Sequence, residues 1–65
     1  MKIRYFPGTD TLWIELRDAP VSETRDLDEA TLIDLDDQGK ICSITIEHAS
    51  VRTDVSHVSF EQVSA

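Results

Sequence analysis

The sequence predicts a mainly β domain: a small antiparallel β-meander of four to five strands with one short helical turn, completed by dimerisation. Three observations carry this expectation. Apolar and polar residues alternate with a period of two in several five- to six-residue runs. Compact turn signals stand between those runs. No apolar repeat at helical spacing is long enough to supply a second layer over the resulting sheet.

The elements follow in order. Ile3 and Tyr5 share one side of an opening strand, with Lys2, Arg4 and Phe6 on the other. Pro7-Gly8-Thr9-Asp10 reads as a turn, in which Pro7 withholds a donor and Gly8 permits a positive φ. Leu12, Ile14 and Leu16 then alternate with Trp13 and Glu15, giving a hairpin. After Ala19-Pro20, the stretch Val21 to Asp26 reads as a short edge strand whose charges discourage further pairing. Ala30 to Leu35 is a strand, with Ile33 and Leu35 on one side and Leu32 on the other. Asp36-Asp37-Gln38-Gly39-Lys40 is the clearest turn: Asp36 can accept from the backbone two residues on, and Gly39 suits a left-handed position. Ile41 to Ile46 completes that hairpin, with Cys42, Ile44 and Ile46 aligned. Glu47 to Asp54 has room for a single helical turn. Val58 and Phe60 alternate with Ser59 and Glu61, predicting a last strand over 57–63, preferred to a helical turn capped by Ser59 with Gln62 at its third position.

The chain has 65 residues, enough for one small domain. A chain of this mass exposes about 10,600 Å² when extended and about 4,200 Å² when compact. If roughly 60% of the difference is apolar, burial contributes about 95 kcal/mol, against about 100 kcal/mol for ordering the chain. A lone copy is marginal by this balance, and association with a second copy is the expected remedy. Cys42 is the single cysteine, so neither an intrachain disulfide nor a thiolate-rich zinc cluster is expected. The opening residues show no signal-peptide pattern, and the longest apolar run, Leu12-Trp13-Ile14, is three residues. A cytoplasmic protein that does not enter membranes is the corresponding expectation.

Thirteen acids against six Lys and Arg give a formal charge of −7. Residues 23–37 alone carry six net negatives. Phosphate repulsion argues against nucleic-acid binding by the isolated protein, and a basic protein surface would be attracted to the same region. No phosphate-cradling glycine loop, dinucleotide fingerprint or zincin pattern is present, and no cofactor is expected.

Asp34, Asp36 and Gly39 occupy positions one, three and six of a calcium-loop pattern, but Gln38 stands at position five and Thr45 at the position that needs a bidentate Glu. A hairpin turn is the better reading, and no metal site is expected. His48 and His57 match no ligand spacing, and Cys42 on the core side of its strand reads as a small buried hydrophobe. A metal-dependent or acid–base hydrolase using Asp26, Asp28, Asp34, Asp36 or the histidines remains an alternative, as does a purely structural homo-oligomer; no catalytic residue is assigned. The favoured reading is a protein-interaction module. Its expected contact residues are Phe6, Trp13 and Leu32, on the side opposite the aliphatic residues, and the acids Asp26, Asp28 and Glu29.

These residues also carry a family likeness. Lys2-Ile3-Arg4-Tyr5, Asp10, Leu12-Trp13-Ile14, Ala19-Pro20-Val21 and Glu23-Thr24 are followed by Leu32-Ile33-Asp34, Asp36, Gly39-Lys40, Ile44-Thr45-Ile46-Glu47 and Ala49-Ser50. In this order and spacing, the chain resembles the bacterial family known as domain of unknown function 2283. Phe6-Pro7-Gly8 and Thr45 depart from the family's commoner residues, and the likeness fades after Ser50. The resemblance implies a small cytoplasmic β-rich protein. Some members are encoded beside toxin-like genes, which implies an antitoxin-like partnership with a basic toxin.

Overall fold

The computed structural model describes residues 1–64. Five strands, β1 (Lys2–Phe6), β2 (Thr11–Glu15), β3 (Glu23–Asp28), β4 (Thr31–Leu35) and β5 (Ile41–Ile46), precede one helical turn, α1 (Ala49–Arg52). All five form a single antiparallel sheet in the order β1-β2-β5-β4-β3.

The meander is therefore broken once. β3, β4 and β5 follow one another in space, but β5 then pairs with β2. Residue character explains the jump. Every residue of β3, Glu-Thr-Arg-Asp-Leu-Asp, is exposed, which suits an edge, whereas β5 brings Cys42, Ile44 and Ile46 to the centre. The connection 16–22 consequently runs along one end of the sheet. Leu16 and Arg17 both donate their N–H to the Cys42 carbonyl, at 2.8 and 3.3 Å, and Ser22 donates to the Leu35 carbonyl at 2.8 Å.

Local chemistry sets the turns. Asp36 Oδ1 accepts the N–H groups of Gln38 and Lys40, each at 2.9 Å, and Gly39 takes φ 79°, as its sequence context requires. In the first hairpin the left-handed residue is Asp10 (φ 52°) and not Gly8. Asp tolerates this region because its short polar side chain bonds locally. The edge strand expected at Val21–Asp26 begins two residues later and extends to Asp28, where Asp28 Oδ1 accepts the Ala30 N–H at 2.9 Å and closes the turn through Glu29. The β3–β4 ladder shifts between Asp26 and Asp28, leaving Leu27 as the extra residue.

The helical turn expected between Glu47 and Asp54 is α1. The strand expected over 57–63 is absent, and so is a helical turn at Ser59: residues 57–64 have no regular structure. Alternation supplies an apolar side but not a hydrogen-bonding neighbour, and this segment pairs with neither open sheet edge. Val58, Phe60 and Val63 stay exposed, Phe60 by 80%.

Pairing divides the sheet into two unlike faces. On one, Ile3, Ile14, Ile44 and Ile33 form a cross-strand row, beside a second row of Tyr5, Leu12, Ile46 and Thr31. The buried hydrophobic residues Ile33, Leu35, Cys42 and Ala49 mark a small core. The molecule measures 35 × 33 × 18 Å, and α1 is attached at one end of this face, where Ala49, Thr31 and Ile33 are buried. Ile14 and Ile44 are only half-buried, and Ile3 is 39% exposed.

Candidate functional site

On the opposite face the same registers align Arg4, Trp13, Thr45, Leu32 and Asp26 across all five strands. The Arg4 guanidinium carbon lies 5.6 Å from the centre of the Trp13 ring, within cation–π reach. Phe6, two residues along β1, is 47% exposed. Arg4, Phe6, Thr11, Trp13 and Thr45 line a shallow concavity of about 330 Å³ that opens broadly to solvent. Strand alternation thus brings Phe6 and Trp13 together. Leu32 lies one strand beyond Thr45, outside the concavity, and Asp26 follows it on the β3 edge. Asp28 is paired with Thr31, in the row of the other face, and Glu29 sits in the following turn.

Arg4 is the only ionisable side chain lining the concavity, so its walls offer no carboxylate, imidazole or thiol for proton transfer. Among the described residues, no three His, Cys, Asp or Glu side chains converge in a manner that could hold a metal ion.

The acids of the calcium-like segment are occupied internally. Asp34 accepts the Thr24 hydroxyl at 2.7 Å and the Ser43 hydroxyl at 2.5 Å. Asp36, besides bonding its own loop, forms an ion pair with Arg17. Glu23 pairs with Arg25 on the exposed edge at 2.5 Å; the Arg25 guanidinium holds its carboxyl below the usual range. Asp28 is also lowered, first by the Ala30 N–H and then by the Thr31 hydroxyl. Asp26 and Glu29 are exposed, and among the described residues their carboxylates accept no hydrogen bond. The acidic edge therefore offers a partner chiefly these two carboxylates.

One organising residue escaped the sequence reading. Asp10 accepts the Tyr5 hydroxyl at 2.6 Å, the Ser50 N–H at 3.0 Å and the Ser50 hydroxyl at 2.6 Å, while its carbonyl accepts the Ala49 N–H at 2.9 Å. It fastens α1 to the first hairpin. Arg52 completes the attachment, donating to the Ala30 carbonyl and the Thr31 hydroxyl, each at 2.8 Å. The Ser50 and Tyr5 bonds lower the Asp10 pKa, and the Asp10 carboxylate raises that of Tyr5. Both halves of this contact, Asp10 and Ala49-Ser50, belong to the run of residues that carries the family likeness, the one sequence signal that joined them.

The family model described as a protein of unknown function (DUF2283) matches residues 2–50. The chain belongs to the DUF2283 family. The matched span contains all five strands and ends at Ser50, the residue that bonds Asp10, so it coincides with the fastened sheet and excludes the exposed tail. Comparison with curated proteins gives no match, and neither does comparison with solved structures. No helix among the described residues is long and apolar enough to cross a membrane.

Proposed function

We propose that this DUF2283 protein is a non-enzymatic interaction module that takes a basic protein partner on its aromatic face and β3 edge. The observation that carries the reading is the row Arg4–Trp13–Thr45–Leu32–Asp26, which runs from an aromatic concavity to an acidic edge. Aromatic anchors in shallow pockets, surrounded by polar groups, are where protein interfaces concentrate their binding energy. Trp13 and Asp26 lie three strands apart, about 14 Å at the usual strand spacing. An extended partner segment would cover that span with about four residues, setting an apolar side chain between Phe6 and Trp13 and a Lys or Arg against Asp26 and Glu29.

The concavity favours this reading over a hydrolase, since it contains no acid–base pair. Free, buried Cys42 suits a reducing cytoplasm. The family resemblance extends the reading to an antitoxin-like role, in which the partner is a basic toxin neutralised by occlusion.

Gentle affinity purification from the native host, followed by intact-complex mass spectrometry, tests the reading. A basic polypeptide bound to this chain, lost in Phe6→Ser and in Asp26→Asn/Glu29→Gln, is the expected result. Phe6 and both acids are exposed, so these variants leave the fold intact. Recovery of this chain alone contradicts the reading.

A further inference from the structure

We infer that the aliphatic face, carrying Ile3, Ile14, Ile44 and Ile33, is covered by the same face of a second copy of this chain. The aromatic face and the acidic edge then remain open on the outside. This inference stands independently of the proposed partner.

The chain exposes 5039 Å², about 800 Å² more than a compact protein of its mass. A stable interface removes about 800 Å² from each partner, so the excess is of the size that one dimer contact would absorb. Part of it belongs to the exposed tail, and part to Ile3, Ile14 and Ile44, which stay exposed or half-buried while Ile33 and Thr31 beside α1 are buried.

Charge selects the face. A two-fold pairing of β1 with its copy brings Lys2 and Arg4 against the same residues, and a two-fold pairing of β3 gathers Glu23, Asp26 and Asp28 around a single Arg25 from each copy. Like charges facing across strands oppose both arrangements. The aromatic face is crossed by Lys2, Arg4, Glu15, Asp34 and Asp26. By contrast, the two paired rows of the aliphatic face hold no charged residue of their own from β1 to β4; Asp10 and Arg52 reach its Tyr5 and Thr31 hydroxyls at one end, and Arg25 and Asp28 come on the outer strand β3. A self-complementary contact needs a patch that tolerates its own image, and the row Ile3–Ile14–Ile44, clear of those charges, is that patch.

Each copy carries a formal charge of −7, so the two repel at long range. Screening reduces that repulsion, and added salt therefore tightens the dimer. Attraction to a basic partner responds in the opposite sense.

Sedimentation equilibrium over about 1–500 µM, at low and high salt, tests the inference. The wild-type chain is expected to dimerise, more tightly at high salt. Ile3→Glu, on a partly exposed edge strand, is expected to weaken the dimer at least tenfold with its circular dichroism retained. Isotope-filtered NMR on a mixture of labelled and unlabelled wild-type chains removes any dependence on the variant's folding. Intermolecular contacts among the methyl groups of Ile14 and Ile44 support the inference. A monomer at every concentration overturns it, as does a dimer whose contacts lie at Trp13 or along either edge.

Discussion

Asp36 is the residue whose removal tests the local physics most sharply. It is 8% exposed, and one carboxylate oxygen accepts two backbone N–H groups while the other pairs with Arg17. Asp36→Ala deletes all three interactions. Gln38 and Lys40 lie in an exposed loop, so water takes up their freed N–H groups, and each bond is worth about 1 kcal/mol, the ordinary net value. The Arg17 pair, half-exposed on its cationic side, adds at most about 1 kcal/mol. The expected loss is about 2–3 kcal/mol, a large part of the stability of a domain this small. At about 4–8 °C per kcal/mol, Tm falls by about 10–20 °C. Asp36→Asn retains an oxygen for the loop and loses the ion pair, so it should fall by about 5 °C. Thermal and urea melts followed by circular dichroism read both values, with an unchanged urea slope showing that the unfolded state is the same. If Asp36→Ala melts within about 2 °C of the wild type, the carboxylate does not hold the loop, and the assignment of Asp36 to structure in place of cation binding loses its basis.

Three further outcomes follow from the same contacts. Gly39→Ala meets no side chain or backbone within 4 Å, so its cost is conformational alone, about 1 kcal/mol from φ 79°, read as a Tm lowered by about 4–8 °C. Tyr5 is the only tyrosine; its phenol, donating to the Asp10 carboxylate, should ionise above the usual pH in ultraviolet titration and return toward it in Asp10→Ala. Because the bonds from Ser50 and Tyr5 lower the Asp10 pKa in the folded state, its ionised form contributes stability above the unfolded carboxylate pKa, and that contribution is lost as pH falls through the folded value. The Tm gap between wild type and Asp10→Asn should therefore be widest near neutral pH and close in acid; a gap independent of pH contradicts the assignment.

Strand positions were legible wherever alternation and turn chemistry agreed. Asp36 to Lys40 announced a turn through an acid that bonds forward and a glycine that accepts the left-handed region, and the structure has both. The two-face division was equally readable, because a period of two assigns each residue of a strand to a side. Less legible was anything that depends on which strands become neighbours. Alternation in Leu12–Leu16 does not reveal that β2 pairs with β5, a choice made by the charged character of β3. The same blindness misled the tail, where Val58 and Phe60 alternate without an edge to join. Phe6 and Trp13 came together because they sit on paired strands of one hairpin, whereas the separation of Leu32 from them depended on β5 entering between β2 and β4. Asp10 was missed because its partner Ser50 lies forty residues away, and a lone Asp after a turn carries no sign of so distant a contact.

Two faces that take different partners should respond to salt in opposite senses. Native mass spectrometry of the complex purified from its host at low and then high ionic strength tests that division most directly. The expected result is a basic polypeptide that dissociates as salt rises while the chain remains paired with its own copy. A complex in which the two copies separate first, or in which no second kind of polypeptide appears at low salt, contradicts it.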